Sequence, residues 1–145
     1  MKRMPAMKQI GLILIGFALS LPIGAAAKIV VVVSAKNPVT ALNKNQIVDI
    51  FLGKTRQFPD GQPAVAVDQA EGTGARDQFY IEFSGQSPAQ IKAYWSKLIF
   101  TGRGQPPPEV SNGHQVKRFI AEHPNGIGYI QNNLVDDNVK VVHVK

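Results

Sequence analysis

From Lys28 to Ser34 the chain reads Lys-Ile-Val-Val-Val-Val-Ser, a continuous β-branched run with no polar alternation. A strand covered on both faces has this pattern. Asn37-Pro38 ends it in a turn. Asn43 then stands as an N-cap with Gln46 three residues on, Ile47, Ile50 and Phe51 follow at helical spacing, and Gly53 closes the helix. Phe58-Pro59-Asp60-Gly61 reads as a turn and Ala64–Val67 as a second short strand. After Gly72-Thr73-Gly74 a helix carries Phe79 and Phe83 on one face. Ser87-Pro88-Ala89-Gln90 starts another, with a capping serine, proline at the first position and glutamine at the third. Ile91, Tyr94, Trp95 and Leu98 form its apolar stripe. Gly102 to Pro108 is a loop, and Val116, Phe119 and Ile120 mark a short helix that stops before Pro124-Asn125-Gly126. Ile127–Ile130 and Val139–Val144 complete the pattern as strands. The order β-α-β-α-α-α-β-β predicts an α/β domain, a mixed sheet with helices on its faces. The aromatics lie at i, i+3 or i+4 from other apolar residues, which assigns them to the core.

The first 27 residues follow a different logic. Lys2, Arg3 and Lys8 precede a 12-residue apolar run, Ile10–Leu21, and Ala25-Ala26-Ala27 supplies small residues before Lys28. That is the layout of a signal peptide, 1–27, cleaved after Ala27. The run is short of the roughly 20 residues that span a bilayer as a helix. A periplasmic product, 28–145, is the expectation. About 118 residues suffice for one domain and one core.

The signal also changes the charge. The whole chain carries +6, but three basic and no acidic residues lie before Lys28, which leaves +3. That balance, with no dense basic run after Lys28, argues against a nucleic-acid partner and is compatible with small anions. The chain has no cysteine, so disulfides, thiolate metal sites and cysteine nucleophiles are excluded. His114, His123 and His143 lack metal-ligand spacing, Asp136-Asp137 reads as a solvated turn, and no serine sits in a nucleophile elbow. No enzyme, metal or cofactor is expected.

Candidate chemistry concentrates in Asp68 to Asp77, between a predicted strand and a predicted helix. Gly72 and Gly74 permit close backbone approach, and the helix start presents outward N–H groups to an anion. Thr73 adds a hydroxyl and Arg76 a fixed charge able to hold an oxyanion. The candidate anion site is therefore Gly72, Thr73, Gly74, Ala75 and Arg76. A dinucleotide fingerprint fails because Asp77 follows where the third glycine belongs, and no Gly-Lys-Ser/Thr occurs for a Walker loop. On spacing alone a second reading stays open: a helix start capped by Thr73, with Arg76 facing solvent and nothing bound.

Four segments in order resemble the second half of the periplasmic phosphate-binding proteins of ABC transporters. They are Asn37-Pro38-Val39 with Gln46–Lys54, Pro59-Asp60-Gly61-Gln62, Glu71–Phe79, and Pro124-Asn125-Gly126-Ile127-Gly128-Tyr129-Ile130. The resemblance implies the type 2 periplasmic binding protein fold, two α/β lobes around a ligand cleft, of which this chain has length for a single lobe. The phosphate loop of that family reads Arg-x-x-Gly-Ser-Gly-Thr, often followed by Arg. Gly72, Gly74 and Arg76 match it, Thr73 replaces the serine, and Gln69 and Ala75 stand where the arginine and threonine are expected.

The function implied is binding of phosphate or a similar oxyanion, as the substrate-binding component of phosphate transport does. The alternative is a non-transport envelope interaction module that keeps the fold without tight ligand binding. The partners expected are phosphate or a similar oxyanion and a membrane transporter on the first reading, and another envelope protein or a second copy in a homodimer on the alternative.

Overall fold

A computed structural model describes Lys2, Arg3 and residues 27–145. The run read as an export signal lies outside the described residues, apart from those two and Ala27. The β-branched run forms β1, Ile29–Ser34, at the heart of a four-stranded sheet. Its neighbours are β6, Gly126–Gln131, and β7, Val139–Val141, both antiparallel to it. A two-residue strand, β3 (Val65–Ala66), runs parallel to β6 on the outer side, giving the order β3-β6-β1-β7. The mixed sheet expected from the element order is therefore present.

Burial explains the lack of polar alternation. Ile29, Val31 and Val33 join one core with Ile127 and Tyr129, whereas Val32 joins a second core with Ile130 on the other face. The first core is closed by α1 (Lys44–Phe51), α2 (Gly74–Ser84) and α3 (Pro88–Phe100). The second is closed by α4 (Gly113–Glu122) through Val116 and Ile120. Phe79 of α2 stacks on Tyr129 of β6, ring centroids 4.1 Å apart, and Phe51 of α1 packs beside both. The aromatic stripe of α2 is thus core, as its spacing implies.

The helix starts hold as read. Asn43 and Gln46 form a reciprocal capping box at α1, and Ser87 and Gln90 another at α3. Two predicted strands are broken. Ala64–Val67 is trimmed to β3, and Val67 separates it from β4 (Asp68–Gln69), which leaves the sheet to pair in parallel with β5 (Glu109–Val110). Val139–Val144 divides at Val142 into β7 and β8 (His143–Val144), and β8 pairs in parallel with β2 (Ala41–Leu42). In both places the chain changes pairing partner within one apolar run.

Candidate functional site

The pairing of β4 with β5 builds the site. Because the two strands are parallel, both chains leave them at the same end, and each then enters a helix. Gln69 leads through Ala70–Thr73 into α2, and Val110 leads through Ser111 and Asn112 into α4. The N-termini of two helices come to face one cavity of about 300 Å³, lined by Gln69, Thr73, Gly74, Ala75, Asn112 and His114 among others.

The turn before α2 is fixed locally. Gly72 takes a φ of 90°, where a side chain would be strained. The Thr73 hydroxyl donates to the Ala70 carbonyl at 2.9 Å and accepts from the Arg76 N–H at 3.4 Å, so Thr73 is the N-cap. The N–H groups of Gly74 and Ala75, the first two of the helix, have no protein acceptor among the described residues. They carry the positive end of the helix dipole. At α4, Asn112 caps by accepting from Gln115 N–H at 3.1 Å.

Arg76 lies elsewhere than either sequence reading placed it. It is only 8% exposed and does not line this cavity. Its Nη1 donates to the Gln69 carbonyl at 3.0 Å and to Glu109 Oε1 at 2.7 Å, and it lies 3.5 Å from Asp68 Oδ2. The side chain ties α2 to β4 and β5. Its Nη1 faces two carboxylates, those of Glu109 and Asp68. Of the five predicted site residues, Thr73, Gly74 and Ala75 line the cavity, and Gly72 shapes the turn beside it.

Beneath the site is a polar cluster that sequence reasoning missed. Asp68, 1% exposed, accepts hydrogen bonds from the hydroxyls of Tyr80 (2.5 Å) and Tyr129 and from the Gln69 N–H (2.9 Å). Burial pushes its carboxyl above the usual range, against the opposing pull of Arg76 and of these donors. Burial and the neighbouring Asp68 charge push both tyrosine hydroxyls far up, so they stay protonated donors. For Arg76 burial acts downward, but Asp68 and Glu109 outweigh it and hold the guanidinium charged. The sequence signal was present: an aspartate at the end of the apolar run Ala64–Val67 needs partners if the strand is buried.

No cluster of His, Asp or Glu suited to a metal occurs among the described residues. No protein-family model and no curated protein sequence matches the chain.

Solved structures do match. A phosphate ABC transporter substrate-binding protein from Clostridium perfringens, solved with bound phosphate, superposes with a TM-score of 0.64 at 27% identity over 81% of this chain. An ABC-type phosphate transport receptor from Vibrio cholerae gives 0.63 at 21% identity, and PstS from Borrelia burgdorferi 0.58 at 12%. The chain covers 45%, 45% and 47% of these structures, under half of each. It has the α/β fold of one lobe of a periplasmic binding protein. The resemblance read from the four sequence segments holds: this chain is similar to the substrate-binding proteins of phosphate ABC transporters.

Proposed function

We propose that the chain is a periplasmic binding protein for phosphate or a similar oxyanion, held at the Gly72–Arg76 segment by the start of α2. The supporting observation is the pair of unpaired N–H groups of Gly74 and Ala75, opening on a cavity in a fold shared with phosphate-binding proteins. Arg76 serves this site by anchoring the turn rather than by touching the ligand. Export with cleavage after Ala27 belongs to this reading, and no described helix is long and apolar enough to cross a membrane. The role is binding, as in the similar solved proteins, with no catalytic step.

A site of a few hydrogen bonds, open on one side, reaches roughly −4 to −6 kcal/mol, a dissociation constant of about millimolar to tens of micromolar. Gly74→Pro is the informative variant. Proline at the first helical position removes one N–H without disturbing the helix, and a side chain at Gly74 meets nothing within 4 Å. Calorimetry with phosphate should show binding to the wild type and a loss of roughly fivefold or more in the variant. Equal binding by both removes the start of α2 from the site.

One observation favours the alternative, an envelope interaction module that contacts another protein or its own copy. Phe100 is 91% exposed at the end of α3, beside the exposed Ile99. If phosphate does not bind and sedimentation shows self-association abolished by Phe100→Ser, that reading takes its place.

A further inference from the structure

We propose that the outer edge of β3 is a second binding site. It takes the C-terminal end of an extended peptide, antiparallel to β3, with Ala66 pairing the peptide backbone and Arg56 its carboxylate. The inference is independent of the oxyanion reading, since none of the residues Gly72–Arg76 lines the cavity concerned.

Three prolines leave this edge open. Val65 and Val67 donate their N–H groups to the carbonyls of Asn125 and Ile127 at 2.9 Å each, on the β6 side. The alternation of a strand turns the N–H groups of Ala64, Ala66 and Asp68 the other way. Ala64 donates to the Arg56 carbonyl and Asp68 to the Pro108 carbonyl, both at 2.9 Å. Ala66, between them, has no hydrogen-bond partner among the described residues for its N–H or its C=O. One more step of the β4–β5 ladder would need residue 108 to donate to the Ala66 carbonyl, and Pro108 has no N–H. Pro106 and Pro107 have none either, so this side of the edge cannot be closed by the chain that faces it.

A cavity of about 290 Å³ lies at this gap, walled by Val65, Ala66, Trp95, Pro106–Pro108 and Arg56 among others. Trp95 is 5% exposed, and its buried indole N–H has no acceptor among the described residues. The wall is largely apolar and holds no carboxylate, and Arg56 has no carboxylate partner among the described residues. A peptide unit brings a carbonyl for the Ala66 N–H and an N–H for the Ala66 carbonyl, which is how an added strand is held on a sheet edge. A simple anion has no donor for that carbonyl. Ala64 to Asp68 spans roughly 13 Å, and the chain already covers both ends through Arg56 and Pro108. An added strand cannot run on past Arg56, so the occupant is a chain end. In the antiparallel direction the end beside Ala64 is the C-terminus, and its carboxylate meets Arg56.

Trp95 is the one tryptophan of the chain, so its fluorescence reads the cavity directly. The probes are acetyl-Val-Ala with a free carboxylate and the same peptide as its amide. The carboxylate form should give a saturable change, and the Ala66 amide signal of the ¹⁵N-labelled protein should move with the same half-saturation. The amide form should need roughly tenfold more, because the contact with a charged partner is lost. Proline is tolerated on an outer strand, so Ala66→Pro removes the outward N–H and keeps the β3–β6 pairing. It should abolish peptide binding and leave phosphate calorimetry as in the wild type. Arg56→Gln should lower the affinity for the carboxylate form to that for the amide. No saturable change with either peptide overturns the site, as does binding during which the Ala66 signal stays still or which Ala66→Pro retains in full. Equal affinity for the two peptides overturns the role of Arg56.

Discussion

Arg76 on the first turn of α2 and Glu109 on β5 meet at 2.7 Å, joining two segments far apart along the chain. The same guanidinium faces the buried Asp68 at 3.5 Å. Removing it leaves a buried carboxylate without a cation. Breaking such a pair from one side costs about 3 kcal/mol. Arg76→Ala should therefore lower stability by roughly that amount in urea denaturation, phosphate absent. An unchanged midpoint would mean that water or rotation of Asp68 replaces the guanidinium without loss.

The pH response of Asp68 has a definite sign. Burial raises its pKa in the folded state, so the fold binds the proton more readily than the unfolded chain does. The stabilisation linked to that proton is fully present below the ordinary value of about 3.9. It is lost as pH rises through the raised value. Asp68→Asn does not titrate, so the stability of the wild type relative to this variant should grow as pH falls from 7 toward 4. Denaturation curves of the two across that range would show it. A difference that grows toward pH 7 instead would mean that Arg76 and the tyrosine hydroxyls outweigh burial.

Gly128 is held by close packing. A Cβ there would meet Val116 Cγ1 at 2.5 Å and Val67 Cγ1 at 3.0 Å, where α4 lies against β6. Gly128→Ala should cost about 1–3 kcal/mol, the usual penalty of overpacking. Gly61→Ala does not test packing, because nothing lies within 4 Å of that position, although its φ of 86° is strained for alanine.

The capping box at α3 gives a smaller, local effect. Ser87→Ala removes the acceptor for the Gln90 N–H, 3.2 Å away. It should destabilise by about 1 kcal/mol. Thermal unfolding monitored by circular dichroism would detect it, and a neutral result would mean that Pro88 alone suffices to start the helix.

The helices were legible because their signals are local. Asn43 with Gln46 and Ser87 with Gln90 each lie within four residues, and each forms the bonds the pattern implies. β2, β4, β5 and β8 were not legible, since two residues have no period and their pairing is decided by what lies next to them in space. The candidate site divides in the same way. Thr73 as N-cap and Gly74 and Ala75 at a helix start were readable from one stretch of chain. Arg76 was misplaced because its partners, Asp68 and Glu109, lie 8 residues before it and 33 after it. The contribution of α4 to the same cavity depends on the β4–β5 pair, which no pattern in the sequence announces.

The central position of β1 sets the timing of folding. Among the described elements it is made first, yet both strands that flank it in the sheet, β6 and β7, follow all four helices. A nascent chain therefore carries its most apolar strand unpaired until almost the whole domain has been synthesised. Such long-range closure is slow, in the millisecond-to-second regime typical of non-local sheets. During that interval β1 is the segment most exposed to mispairing with other chains. Loss of β7 would strike at the first strand made, and until β6 is made β1 has no neighbour in the sheet to shelter it.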